Sequence, residues 1–170
     1  PDLMPKPEMK QMDVREPLRE ASFLVEVSQP NIRFSRDLGE EKLPGTFDSR
    51  LLTQAFGNII KNAAEAIEGA SYGENEGGHI HVRARREGPQ LRVDVIDNGK
   101  GLPRENRQRL LEPYMTTRAQ GTGLGLAIVK TIIEDHGGSI ELNDAPVRFH
   151  GGRGAMVALG SAGRRGGAGC

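Results

Sequence analysis

A two-layer α/β sandwich, one sheet face carrying helices and the other largely wet, is the fold that three features of this sequence predict. Two segments, Asp48 to Gly69 and Leu124 to His136, hold apolar residues at helical spacing. Two segments, His79 to Glu87 and Leu91 to Asp97, alternate apolar and polar residues around Gly88-Pro89-Gln90, the pattern of a hairpin. Short strand-like runs then flank the last helix, so helices and strands intermix along the chain as layered α/β folds require. At 170 residues the chain is long enough for one core without staples.

In chain order, Pro1 to Pro7 cannot be helical and reads as linker, extended here to residues 1–12. The domain is expected to span 13–160. Arg15 to Ser28 reads as a helix with Leu18, Ala21 and Val25 on one face. Asn31 to Arg36 alternates as a strand, and Gly45 to Phe47 is a second short one. Asp48 is a plausible N-cap for the long helix, and Gly69 stops it. A short helix is expected near Arg104 to Leu111, and Gly137-Gly138 ends the second strong helix. Ser139 to Leu142 and Ala155 to Leu159 complete the strands. Residues 161–170, rich in Gly and Arg, read as a disordered tail.

Composition excludes several classes. Lys plus Arg equals Asp plus Glu at 23 each, which argues against a surface that coats nucleic acid. The one cysteine, Cys170, excludes a disulfide framework and a cysteine zinc cluster and fits a reducing cytosol. No apolar run approaches the ~18 residues of a spanning helix, and no signal peptide opens the chain. With no Trp and few aromatics, the core must be aliphatic.

Candidate chemistry gathers in three places. On the long helix Leu52, Phe56, Ile60, Ala63 and Ile67 form the apolar stripe. Asn58 and Asn62, at i and i+4, share one flank, with Glu65 just beyond. The side-chain oxygen of Asn62 suits Mg²⁺ and adds no charge to repel a triphosphate. Two solvated flank amides would give the same spacing. Next, Asp97-Asn98-Gly99-Lys100-Gly101 follows a strand, where glycines permit close approach to a ligand and Asp97 can accept a hydrogen from a purine amino group. A hairpin turn is the competing explanation, but no returning strand follows. Finally, Gly121-Thr122-Gly123-Leu124-Gly125-Leu126 enters a helix N-terminus, which favours anions. It matches neither the Walker loop nor the dinucleotide fingerprint, so a flexible linker explains it equally well in isolation. His79, His81, His136 and His150 lack metal-ligand spacing and are expected to be structural or solvated.

Taken in order, Asn58 to Ala63, Asp97 to Gly101, Glu112-Pro113-Tyr114 and Gly121 to Leu126 resemble the N, G1, F and G2 boxes of the catalytic, ATP-binding domain of sensor histidine kinases. The resemblance covers about Asp13 to Leu159. Met115-Thr116-Thr117-Arg118 is similar to the nitrogen-regulation kinases of the NtrB and NtrY group, and Pro5-Lys6-Pro7 leans towards NtrY. It implies a Bergerat (GHKL) fold with a mixed, mostly antiparallel sheet, ATP between the helices, and a lid over about 102–120. Asn62 would bind Mg²⁺, Asn58 would serve the phosphate side, and Glu65 would border the nucleotide. Asp97 would read adenine, with Gly99, Gly101 and Leu102 shaping the base pocket. Tyr114, Thr116 and Thr117 would act from the lid. Gly121, Thr122, Gly123, Leu124 and Gly125 would meet the phosphates, and Arg118 would neutralise γ-phosphate charge as the catalytic residue.

Two departures stand out. Glu65 and Ala66 replace the Lys and Tyr that many relatives carry, and Tyr114 replaces Phe. The resemblance further implies a protein-histidine kinase whose acceptor histidine lies on an upstream dimerisation domain, joined through residues 1–12, with relay to a response regulator. None of the four histidines here is followed by Glu, so the acceptor motif is absent from this sequence. The chain alone is expected to be monomeric and cytosolic, the longer protein a homodimer anchored in the inner membrane. A nucleotide-responsive interaction module without transfer, or an ATPase or serine kinase of the same fold, stays open.

Overall fold

The structure, a computed structural model, describes residues 6–113 and 125–161. The main sheet has five strands in the order β2-β4-β5-β7-β6: β2 (Arg33–Asp37), β4 (His79–Glu87), β5 (Gln90–Asp97), β7 (Ala155–Gly160) and β6 (Ser139–Asp144). Only β2 and β4 run parallel, so the sheet is mixed and mostly antiparallel, as expected. A small antiparallel pair joins β1 (Lys10–Asp13) to β3 (Pro44–Phe47). Helices α2 (Ser49–Glu68) and α3 (Gly125–Asp135) lie against the sheet, and α1 (Arg15–Ser28) packs beside α2.

The aliphatic core is where periodicity puts it. Leu18, Phe56, Ile60, Ile80, Val82, Val129 and Ile132 are all but fully buried, each contributing about 1.5–3 kcal/mol by leaving water. Asp48 caps α2, its carboxylate accepting from Leu51 N–H at 3.2 Å, a cap worth about 1 kcal/mol. The backbone N–H of Asp48 donates to His136 Nε2 (3.0 Å), and His136 Nδ1–H donates to the Ile132 carbonyl (2.7 Å). This histidine therefore ties the end of α3 to the start of α2, a structural part.

Four expectations need correction. Strand β1 takes in Lys10 to Met12, which fall in the linker expected from sequence. Its KQMD string has no alternation because backbone pairing with β3 and the buried Asp13 carboxylate hold it, the latter accepting from Arg15 and from Leu43 N–H. Ser161, expected to begin the tail, instead donates its N–H to Leu91 O and accepts at its hydroxyl from Leu91 N–H. The helix expected at Arg104 to Leu111 is a 3₁₀ turn over Arg107–Leu111. The open sheet face is also not simply wet. Asp94 is 1% exposed there, its carboxylate bridging Arg83 Nε (2.7 Å) and Arg85 Nη1 (2.8 Å).

Candidate functional site

Helix α2 sets out Asn58, Asn62 and Glu65 on one flank, all half-buried, between the core stripe and exposed Lys61. Gly125 opens α3 directly beside this flank. A Cβ on Gly125 would stand 3.8 Å from both the oxygen and the nitrogen of the Asn62 amide. The N-terminal end of α3 thus abuts the side chain that the sequence marks as a metal ligand.

The loop after β5 is pressed onto the same helix. A Cβ on Gly99 would fall 2.5 Å from the carbonyl carbon of Ala66, closer than any side chain tolerates, so only glycine allows this contact. Lys100 N–H donates to the Ala66 carbonyl at 3.0 Å and fixes the register of loop on helix. From the far side, Gly154 has φ 105, and a Cβ there would overlap the Asp97 carbonyl. Asn98 locks the loop to the chain before β4. It accepts from His79 N–H (2.7 Å) and donates to Gly77 O (2.9 Å), while Tyr72 OH donates to the Asn98 carbonyl (2.9 Å). The sequence motif contains Asn98 without disclosing this role, and nothing around Tyr72 marks it at all. Short-range pattern carries no sign of bonds formed across 26 residues.

Asp97 sits on the helix-bearing face of β5, in register with Val93 and Val95, and is 5% exposed. Burial pushes its pKa up to about 6, although the N–H groups of Gly99 and Ala155 favour the ionised form. The Gly99 N–H bond to Asp97 Oδ1 measures 2.8 Å. At neutral pH this carboxylate is ionised and costly to keep so, a state that a ligand hydrogen-bond donor would stabilise.

Of the residues singled out from sequence, Asn62, Asp97, Gly99 and Gly125 are gathered where the loop after β5 and the start of α3 meet α2, with Glu65 on the same helix flank, whereas Asn58 lines the cleft between α1 and α2. Gly101 and Leu102 continue the Gly99 loop. Tyr114, Thr116, Thr117, Arg118, Gly121, Thr122, Gly123 and Leu124 lie outside the described residues. Among the described residues no group of three or more His, Cys, Asp or Glu is set to hold a metal ion. Mg²⁺ needs none where phosphates and waters supply most of its ligands and the protein adds one or two oxygens. Three of the histidines expected to be structural or solvated do meet: His79 Nδ1 lies 2.8 Å from His150 Nε2, and Ser35 Oγ joins His79 Nε2 to His81 Nδ1 at 2.7 Å each. They stand on the open sheet face, away from α2. Desolvation lowers the pKa of His79 to about 4 and pulls that of His81 below its usual value, which favours the neutral form of both rings.

A helix flank bearing amides, a buried aspartate at the end of a central strand whose following loop is seated on that helix, and a glycine-led helix beside the amides are the parts of a nucleotide-binding ATPase-type domain. Residues 47–161 match the family of histidine kinase-, DNA gyrase B- and HSP90-like ATPases, and the chain belongs to that family. The nitrogen regulation protein NtrY of Azorhizobium caulinodans is 52% identical over 156 residues, 92% of this chain and 20% of that protein. The chain spans about a fifth of the length of the curated relatives it matches. Among solved structures, a mycobacterial sensor histidine kinase, MprB, superposes with a TM-score of 0.77 at 26% identity, covering 91% of this chain and 97% of that one. The nucleotide-free catalytic domain of the histidine kinase ThkA gives 0.76 at 31% identity, covering 92% and 96%. The Bergerat fold and the likeness to nitrogen-regulation sensor kinases expected from sequence are thereby established. Among the described residues no helix is long and apolar enough to cross a membrane.

Proposed function

We infer that this domain binds ATP with Mg²⁺ and presents the γ-phosphate to a histidine on a separate dimerisation domain, for relay to a response regulator. The observation that carries this is the shared contact of the loop after β5 and the start of α3 with one helix. Gly99 seats the Asp97 loop on Ala66, and Gly125 seats α3 on Asn62, one turn earlier. Asp97 then accepts from the adenine amino group at one end, while Asn62 faces the phosphates at the other. ThkA, similar to this chain, has been solved in complex with the response regulator protein TrrA.

Phosphoryl transfer asks mainly for positioning and charge neutralisation. Mg²⁺, when bound, supplies neutralisation of the phosphate oxygens. Asn62 would hold it through a neutral oxygen, and Asn58, one turn away on the same helix, would serve the phosphate side. The α3 N-terminus at Gly125 would offer backbone N–H groups to the phosphates, joined by Gly121, Thr122, Gly123 and Leu124 of the sequence motif before it. Arg118, with Tyr114, Thr116 and Thr117, acts from the lid. Water is a poor acceptor here, because the position four residues before Asn62 is the amide Asn58, which cannot take a proton at neutral pH.

Calorimetry with a non-hydrolysable ATP analogue, with and without Mg²⁺, tests the assignment. Asp97→Ala should abolish binding, and Asn62→Ala should retain weak binding that no longer responds to Mg²⁺. Adding the upstream dimerisation segment should yield acid-labile phosphohistidine, whereas the chain alone should incorporate none. Magnesium-sensitive binding in Asn62→Ala, or stable labelling of the isolated chain, would refute the scheme.

A further inference from the structure

The chain between α2 and β4, residues 69–78, forms no helix or strand, and Tyr72 is its one large side chain with an apolar body. The Tyr72 ring packs against the edge of the core. Its hydroxyl donates to the Asn98 carbonyl at 2.9 Å, one residue beyond Asp97. The Asn98 side chain is already spent on His79 N–H and Gly77 O, so Tyr72 takes hold of the backbone itself.

Arg153 in turn holds Tyr72. Its Cζ lies 4.4 Å from the centre of the Tyr72 ring, and its Nη2 donates to the Ser71 carbonyl. A planar guanidinium can stack on a ring and donate from its edge at the same time. Loop 69–78, the loop after β5 and the turn before β7 thus meet at one ring. The turn before β7 also reaches Asp97 directly. Gly154 packs on the Asp97 carbonyl, and the N–H of Ala155 bonds to the Asp97 carboxylate. All of these contacts lie at the Asp97 end of the site, and Asn62 and Gly125 take no part in them.

We propose that Tyr72 and Arg153 are positioning residues for the base end of the nucleotide site. Arg153 fixes the Tyr72 ring, and the Tyr72 hydroxyl fixes the Asp97–Asn98 backbone, so that the Asp97 carboxylate is already in place when the adenine amino group arrives. The role rests on the reading of Asp97 as the adenine acceptor. It needs the hydroxyl as well as the ring, and the guanidinium rather than any cation.

Calorimetry with adenosine on the whole chain, repeated over a pH series, tests this. Adenosine has no phosphates, so its affinity reads the Asp97 end alone. Tyr72→Phe keeps the ring under Arg153 and removes the hydroxyl, and it should weaken adenosine about three- to tenfold at about pH 7, as loss of one hydrogen bond does. Arg153→Lys keeps the charge and loses the planar fork, and it should weaken adenosine by a similar factor. The double variant should lose less than the product of the two, because both act through one ring. The pH midpoint separates positioning from a general loss of structure. In each variant a freed loop admits water to Asp97, so the pH at which binding fades should move below the wild-type value of about 6. Partial unfolding would lower the number of binding sites and leave that midpoint in place. Wild-type affinity in both single variants, or weakened binding with an unmoved midpoint, would overturn the proposal while leaving Asp97 as the acceptor. A wild-type chain that binds no adenosine would overturn the reading of Asp97 and this role with it.

Discussion

Replacing Asp97 by Asn should make this protein's stability less dependent on pH, by an amount set by the burial of the carboxylate. In the fold the group titrates at about 6 rather than at 3.8. Between these values the folded chain holds a proton that the unfolded chain has lost, so stability falls as pH rises across the interval. The contribution is fully present below 3.8 and gone above about 6. A gap of about two units corresponds to about 3 kcal/mol. The amide that replaces the carboxylate carries no such charge, so the stability difference between Asp97→Asn and wild type should move in favour of the variant by about 3 kcal/mol from about pH 4 to about pH 8. The hydrogen bond from Gly99 N–H can persist through the amide oxygen, and a lost bond from Ala155 N–H would add a constant, pH-independent offset. Urea unfolding of both proteins at closely spaced pH values measures the difference. Asp13, which titrates at about 2, contributes in the opposite sense but cancels because both proteins retain it. A difference that stays flat across that pH range would refute the assignment of a raised pKa to Asp97.

Other consequences are simpler to state. Adenosine, which lacks phosphates, should bind about tenfold more weakly at about pH 5 than at about pH 7 as Asp97 protonates through about 6, read by titration of the amide shifts around Gly99. Gly99→Ala forces a methyl against the Ala66 carbonyl. It should cost about 1–3 kcal/mol in urea unfolding, and analogue affinity should fall with it because the loop must lift from α2. His136→Ala removes the acceptor of Asp48 N–H. It should lower stability by about 1–3 kcal/mol and raise amide exchange at the first turn of α2, while leaving nucleotide affinity unchanged.

How much of this is legible in the sequence follows from the range of the interactions. Helices α1 and α2, the β4–β5 hairpin and the last strands can be read because their apolar spacing is a local record of which face is buried. The flank carrying Asn58 and Asn62 follows from the same arithmetic. Strand β1 is not legible, since its residues are held by a partner strand and by the Asp13–Arg15 pair rather than by a buried stripe of their own. Nor is the gathering of His79, His81 and His150, because register between strands decides which residues meet across a sheet. The motif Asp97 to Gly101 marks the loop but gives no reason for Gly99 in particular. That reason, the Ala66 backbone lying where a side chain would stand, exists only once helix and strand are packed.

The cleft's geometry and its electrostatic cost have one origin. For a ligand to be read at its base by Asp97 and at its phosphates by Asn62, helix α2 and the end of β5 must hold a fixed separation. A flexible loop between strand and helix could not ensure that. Gly99 removes the slack by bringing backbone onto backbone, and Lys100 N–H secures the contact at Ala66. The same closeness strips water from Asp97, leaving it buried with its pKa raised. A looser loop would solvate the carboxylate and stabilise the empty protein, but base and metal ends would then be free to drift against each other. The electrostatic strain at Asp97 is therefore a consequence of rigid positioning, and a ligand donor that satisfies the carboxylate recovers part of it on binding.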